Sequence, residues 1–304
     1  MSVDVPFKST MTFTYGEPQG MGPGVSRLVA QNPSSFTFKG TNTYLVGSLS
    51  LAVIDPGPDD ERQTEAILKA AAGRPITHIL ITHAHRDHVD GLKRLKAATG
   101  ALSVGFGRNH LEAPPELASP SGSAFVDARF KPDLKLDHGD VLKGEDWALE
   151  AVHTPGHAPD HLCFFLNDTG ACFSGDHVMA WNTTVIAPPE GKMADYIASL
   201  QLLLRRSATV YLPGHGGRIE DPLRVVKAFL VHRRWRERAI ADAIAAGTQT
   251  IPELVSVIYK DIKHDLIGAA TASVTAHVEH LISQGSVEVE GPFTKTSVLR
   301  IANS

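Results

Sequence analysis

The segment His83-Ala84-His85-Arg86-Asp87-His88 constrains this chain more than any other stretch of its length. It follows an apolar run, Ile79-Leu80-Ile81-Thr82, that reads as the end of a buried strand. Three imidazoles and a carboxylate at this density suit a metal ion, zinc or iron above all. To use them together, a fold must end a strand at His83 and begin a helix near Asp87. The i, i+2 pair His83 and His85 then leaves the strand end together. Asp87 and His88, on the first helical turn, can face a second centre.

Three distant segments repeat the arrangement. Thr154-Pro155-Gly156-His157, Ser174-Gly175-Asp176 and Leu212-Pro213-Gly214-His215-Gly216 each follow an apolar run and lie in a glycine-containing turn. Loops at one edge of a sheet bring such residues to one place. His83, His85, Asp87, His88, His157, Asp176 and His215 offer enough ligands for two ions that share Asp176.

Up to about residue 220, strand-like and helix-like pieces alternate in two halves. Strands are expected at 43–46 and 51–54, joined like a hairpin, and at 78–82, 101–104, 147–152, 162–166, 171–173 and 210–212. Helices are expected at 59–72, 89–98 and 193–206. Such a recurrence implies a sheet-on-sheet core flanked by helices. Residues 105–132 are rich in Gly, Pro, Ser and Ala. A segment of that kind is either an active-site flap or a surface insertion. Beyond residue 220 the pattern changes to a long helix, 223–246, a shorter one, 251–259, capped by Thr250, a third, 266–283, and a hairpin of 287–289 with 297–299. Helices followed by a two-stranded wing predict a winged-helix-like module at 221–304, after a catalytic domain at 1–220. The segment 266–283 holds no Lys or Arg, which favours packing or dimerisation over nucleic-acid binding, so a homodimer is compatible with the sequence.

Composition narrows the function classes. The chain has 304 residues, 42% of them hydrophobic, and a net charge of -4. That balance gives no global footprint for nucleic acid or an anionic membrane. The N-terminus lacks a basic-then-apolar signal pattern, and no apolar run approaches the roughly 18 residues that span a bilayer. A cytoplasmic protein with no membrane partner is expected. Cys163 and Cys172 lie in strand-like runs and are expected as buried, unpaired thiols, with a disulfide or a metal role as the alternatives.

The string His-x-His-x-Asp-His with a distant His, Asp and His resembles the metallo-β-lactamase superfamily over roughly residues 35–220. The resemblance implies an α/β fold, an αββα sandwich of two mixed sheets flanked by helices. It implies that His83, His85 and His157 hold one ion, that Asp87, His88 and His215 hold another, and that Asp176 bridges. Asp55, in Val53-Ile54-Asp55-Pro56-Gly57, matches a carboxylate that supports the ligands from behind. Gly40-Thr41-Asn42-Thr43-Tyr44-Leu45-Val46-Gly47, Asp160-His161, Pro188-Pro189-Glu190-Gly191 and the wing-like end are similar to the β-lactamase-like-protein-2 subfamily. Its members include a single-strand endoribonuclease and acyl-carrier thioesterases.

Two zinc ions per chain are expected, with iron or manganese as alternatives. About 3.5–4 Å apart, they would generate a bridging hydroxide at neutral pH, with Asp87 orienting it. His161 either donates a proton to the leaving group or holds Asp87 or a nearby loop. Trp181 and Asn182 either line the substrate pocket or pack a loop. A small-molecule ester, thioester or lactone is the first expectation for substrate. Single-stranded RNA is the alternative, through Arg233, Arg234, Arg236 and Arg238, although phosphate binding needs clustered cations that an acidic chain supplies poorly. An iron-dependent redox enzyme is the third class.

Overall fold

A computed structural model describes residues 5–107, 125–127 and 129–302. Seven strands form the first sheet in chain order: β1 (Gln19–Gly22), β2 (Val25–Val29), β3 (Asn42–Val46), β4 (Leu51–Ile54), β5 (Ile76–Leu80), β6 (Leu102–Gly105) and β7 (Leu134–Lys135). The expected hairpin is β3–β4, with Tyr44 opposite Ile54. β1 to β4 pair antiparallel and β4 to β7 parallel. Parallel neighbours need crossovers. These are α1 (Glu61–Ala71) between β4 and β5, then α2 (Arg86–Val89) and α3 (Leu92–Thr99) between β5 and β6.

The second sheet has five strands: β8 (Val141–Lys143), β9 (Ala148–His153), β10 (Leu162–Leu166), β11 (Ala171–Gly175) and β12 (Val210–Pro213). Its order is β12-β11-β10-β9-β8. The crossover between β11 and β12, which pair parallel, carries α4 (Met193–Leu204). Strand periodicity builds the layers. Tyr44, Ile54, Leu80, Leu162, Phe164 and Phe173 meet between the sheets. The alternate residues Leu45 and Val53 face outward with Ile67 of α1 and Leu95 of α3. Cys163, Phe165 and Cys172 face outward with Tyr196 and Leu200 of α4. Both cysteines are buried and free. The result is the expected αββα sandwich of mixed sheets.

The C-terminal segments are α5 (Pro222–Ala245), α6 (Ile251–Ile258), α7 (Ile267–Ser283), β13 (Val287–Val289) and β14 (Leu299–Ile301). Thr250 and Glu253 form a reciprocal capping box at the start of α6. The wing is β13–β14, paired antiparallel with Val289 opposite Leu299. Its second strand therefore begins where the sequence pattern ended it. α5 belongs to two cores. Val225, Val226, Phe229 and Leu230 pack under the outer face of the second sheet. Ile240, Ala243 and Ile244 pack with α6, α7 and the wing.

The expected helix at 89–98 is two helices. The backbone N–H of Gly91 donates to the Gly57 carbonyl at 2.9 Å, and a Cβ there would lie 3.0 Å from the Pro58 carbonyl oxygen. This close approach turns the chain, so α2 can serve the site while α3 packs on the sheet. β1, β2, β7 and β8 were absent from the sequence pattern. β1 and β2 lie in a stretch with Gly22 and Gly24 at positive φ, where apolar alternation is short. Most of the segment 105–132 lies outside the described residues, so the choice between flap and insertion lies outside them too. Among the described residues no helix is long and apolar enough to cross a membrane.

Candidate metal centre

Every candidate ligand lies just past the C-terminal end of a strand or on the helix that follows it. Asp55 follows β4, His83 to His88 follow β5, His157 follows β9, Asp176 follows β11 and His215 follows β12. β9 and β11 both run antiparallel to β10, and β11 runs parallel to β12. Their ends therefore share one rim, which is why residues far apart in sequence converge.

Two ligand groups result: His83, His85, His157 and Asp176, and Asp87, His88 and His215, with the ligand atoms of each within 4.8 Å of one another. In the first, His85 Nδ1 lies 2.9 Å from His83 Nε2 and 3.0 Å from His157 Nε2. In the second, His215 Nε2 lies 3.1 Å from Asp87 Oδ2, and His88 Nε2 lies 3.4 Å from the same oxygen. Asp176 joins them, with Oδ2 at 3.8 Å from His157 Nε2 and 3.3 Å from His215 Nε2.

The residues fit bound metal on three counts. His88 Nε2 and Asp176 Oδ1 are buried, 3.5 Å apart, and lack a hydrogen-bond partner; a native site does not leave such atoms unsatisfied without reason. Imidazole with carboxylate is a donor set for zinc, iron or manganese. Four imidazoles are also held through their other nitrogen, the habit of metal-ligating histidine. His83 Nδ1 meets Thr82 Oγ1 at 2.9 Å, and His88 Nδ1 meets Asp55 Oδ2 at 2.8 Å. His157 Nδ1 meets the Val185 carbonyl at 2.7 Å, and His215 Nδ1 meets that of Gly40 at 3.3 Å.

Asp55 anchors the ligand array, in the place its motif implied. One oxygen accepts the Thr82 backbone N–H at 2.8 Å. The other accepts the Thr82 hydroxyl at 2.7 Å and His88 Nδ1–H. Because Thr82 Oγ1 spends its proton on Asp55, it accepts from His83 Nδ1–H. One buried carboxylate thus fixes the tautomers of two ligands. Thr41 Oγ1 donates to Asp87 Oδ2 at 3.2 Å. The Asn42 side-chain amide donates to the Pro213 and Gly216 carbonyls, bracketing His215. Sequence reasoning assigned no role to Thr82, Thr41 or Asn42. A hydroxyl immediately before the first histidine was the only available signal for Thr82.

Electrostatics divide the histidines in the metal-free chain. Burial, with neighbouring imidazoles, pushes His83 well down and His85 down to about 3. Burial also lowers His157. These three present neutral lone pairs. His88 and His215 resist burial because carboxylates face them: Asp87, Asp176 and Asp55 raise the first, and Asp176 and Asp87 push the second up to about 9. Burial likewise opposes ionisation of Asp87 and Asp176, but His88 and His215 hold both below the carboxylate range.

His161 lies behind the ligands. Its ring is fully buried. Nε2 accepts the Asp176 backbone N–H at 3.2 Å and Nδ1 meets Thr154 Oγ1 at 2.9 Å. Burial pushes it well below the ordinary histidine range. The geometry corrects the donor expectation: the ring is neutral and both nitrogens are engaged, so it steadies the Asp176 backbone. Trp181 stacks on Phe38 at 5.1 Å and 17°. A Cβ at Gly216, next to His215, would lie 2.9 Å from its ring. Asn182 is exposed and its Oδ1 accepts the Thr183 N–H.

The arginine cluster does not form one cationic face. Arg233 is 3% exposed, donates to the Thr184 carbonyl and lies 5.0 Å over the Tyr196 ring. Arg236 lies between the Trp235 and Tyr259 rings, and Arg238 pairs with Asp242. Helical periodicity turns position 233 into the core, which a linear count of charges overlooks.

The metallo-beta-lactamase superfamily profile matches residues 36–215. The chain belongs to that superfamily. It is a metal-dependent hydrolase. Residues 250–295 match the beta-lactamase associated winged helix domain. A beta-lactamase-like protein 2 homolog of Drosophila melanogaster is 33% identical over 279 residues, 87% of this chain and 90% of that protein. An atrochrysone carboxyl ACP thioesterase of a Cryptosporiopsis species is 30% identical over 259 residues, 79% of this chain and 73% of that protein. Among solved structures, a beta-lactamase domain protein from Burkholderia ambifaria superposes with a TM-score of 0.80 at 19% identity, covering 98% of this chain and 97% of the other. The shared fold thus covers the C-terminal module as well as the sandwich.

Proposed function

We propose that this chain is a two-zinc hydrolase of thioesters, and of activated esters, that carry an apolar aromatic acyl group. The observation that carries the reading is an aromatic lining on the segments tied to the ligands. Phe36 and Phe125 are 43% and 52% exposed and meet at 6.0 Å between ring centroids. Phe38 and Trp181 form the second pair. The segment of Phe36 and Phe38 runs into Gly40 and Thr41, which contact His215 and Asp87. Phe125 precedes Val126, which bridges to His85. The Phe36–Phe125 pair is exposed and the Phe38–Trp181 pair half-buried, and aromatic surface beside a polar centre supports a ligand site. Burial of Arg233 weakens the RNA reading. The thioesterase names among the relatives support the acyl reading.

When bound, the ions acidify a water and polarise the substrate carbonyl. The chain supplies the rest. Asp87 is the most exposed ligand carboxylate, and Thr41 holds its Oδ2. It can accept and orient the attacking water's proton. The aromatic pairs orient the acyl group and exclude bulk water from it. His161 holds no proton toward the cleft, so a leaving group must depart without its help. A thiolate does so readily, since a thiol pKa near about 8.5 lies far below that of an alcohol.

The test is a panel of aromatic acyl thioester, lactone, phosphodiester, single-stranded RNA and lactam on zinc-loaded protein. Aromatic acyl thioester turnover is expected to dominate. It should vanish in His85→Ala and Asp87→Ala with the fold retained by circular dichroism. Cleavage of RNA with inert thioesters overturns the substrate class. Iron in protein made without added zinc, with oxygen consumption on turnover, overturns the hydrolytic zinc reading.

A further inference from the structure

We propose that Arg233 is a positioning residue that ties the winged-helix module to the metal ligands. It is the buried arginine of α5, the helix shared by both cores. Among the described residues its guanidinium has two partners, the Thr184 carbonyl and the Tyr196 ring face. Both lead to the metal centre. The Thr184 hydroxyl donates to the backbone carbonyl of Asp176 at 2.7 Å and lies 3.1 Å from that of His177. The Tyr196 hydroxyl donates to the His177 carbonyl at 2.9 Å. The next carbonyl, Val185, takes the Nδ1–H of His157. The pair 184–185 therefore fixes the bridging carboxylate through its backbone and a histidine ligand through its ring.

A buried guanidinium is expensive to desolvate unless its donors and face are matched. Here the Thr184 carbonyl takes one Nη2–H and the Tyr196 face covers the cation, while Nε lacks a hydrogen-bond partner. The match is partial, which makes the two contacts that exist the more costly to lose, and the cation–ring contact strengthens where water is excluded. The charge also explains why this position is not met by an apolar residue like its neighbours Phe229 and Leu230. An aliphatic side chain would fill the volume but would leave the Thr184 carbonyl unpaired. The segment 184–185 lacks regular secondary structure, so side-chain anchors hold it. The route runs from the module's helix to residues 184–185, then to Asp176 and His157, without touching either ion.

The experiment compares full-length wild type with Arg233→Met, Arg233→Lys and Thr184→Val. Phe229→Leu, on the same helix and fully buried, controls for general loosening. Zinc affinity by chelator competition, the visible spectrum of the cobalt-loaded protein and amide exchange across 176–186 in the metal-free chain are read alongside Tm. Arg233→Met is expected to lose about 10–100-fold in metal affinity, the usual cost of losing an outer ligand support. The cobalt spectrum should shift and exchange at 176–186 should rise. Arg233→Lys should recover part of the affinity and Thr184→Val should repeat the loss. Phe229→Leu should lower Tm with affinity and spectrum unchanged. Wild-type affinity and spectrum in folded Arg233→Met overturn the proposal, as does an equal affinity loss in Phe229→Leu at matched Tm. If Arg233→Met does not fold, Arg233→Lys and Thr184→Val decide by the same readouts.

Discussion

Replacing Asp55 by Asn separates charge from shape at the most connected carboxylate behind the ligands. Asp55 has a φ of 52°, a left-handed conformation that Asn tolerates better than other branched or bulky residues. The backbone can therefore stay where it is. The hydrogen bonds cannot. Two donors reach one oxygen, Thr82 Oγ1–H at 2.7 Å and His88 Nδ1–H at 2.8 Å, and the Thr82 N–H reaches the other at 2.8 Å. Asn offers one oxygen and one NH2. If the NH2 faces the Thr82 N–H, two donors oppose each other. If it faces His88 Nδ1, the imidazole must move its proton to Nε2, the atom that points at the second ligand group. Either outcome forfeits a bond to a charged group, about 1.5–3 kcal/mol. Expressed as metal affinity, the expectation is a loss of about 10–100-fold, or about 1.4–2.7 kcal/mol. Competition with a chromophoric chelator at neutral pH measures it, with the ion count checked by elemental analysis. Two ions bound at wild-type affinity would refute the assignment of Asp55 as the tautomer-setting group. Asp55→Ala should also lower Tm further, because alanine adds a left-handed penalty of about 1–2 kcal/mol.

Gly214→Ala introduces a Cβ that would stand 2.5 Å from Asp176 Oδ1 and 2.7 Å from His88 Cε1; elemental analysis should find one ion per chain, and two would contradict the packing argument. Phe36→Ser with Phe125→Ser should raise KM for an aromatic acyl thioester about fivefold, near 1 kcal/mol, and leave an acetyl thioester unaffected; equal changes for both substrates would count against an aromatic subsite. Metal uptake should strengthen as pH rises through about 9, because His215 is held up to about 9, His88 is also held well above the ordinary histidine range, and both must release protons to bind; calorimetry in buffers of different ionisation enthalpy would detect that release. By the same linkage, the His215–carboxylate contacts stabilise the metal-free chain fully below the ordinary histidine pKa of about 6.5. That contribution is lost as pH rises through about 9, and melting curves of chelated protein across that range test it.

The ligand rim was legible because its chemistry is local. Each ligand follows a strand end marked by an apolar run, joined by a glycine at His157, Asp176 and His215, and the two sheets follow from period-two alternation in strands such as 162–166. What supports the ligands was much less legible. Thr82 and Thr184 act through single hydroxyls that reach Asp55 and the Asp176 carbonyl, and nothing in a linear string distinguishes them from surface threonines. Arg233 was misread for a related reason. Charge density along the chain suggested a basic patch, whereas the helical period places 233 inward and 234 outward. The role of His161 stayed open between proton donor and support, because spacing reports proximity but not which atoms are already bonded. β7 and β8 escaped because strands of two and three residues carry too few alternations to register.

The double allegiance of α5 limits how parts of this protein can be exchanged. A chimera joined at residue 220 would import a foreign Val225, Val226, Phe229 and Leu230 into the native sheet's outer face, together with a foreign residue at 233. Grafting another module, or splitting the chain for complementation, calls for a seam inside the helix, after Arg233 and before Ile240. There the native first half still covers its sheet, and the incoming second half brings its own core. Interchangeable wings would then share one fixed shaft.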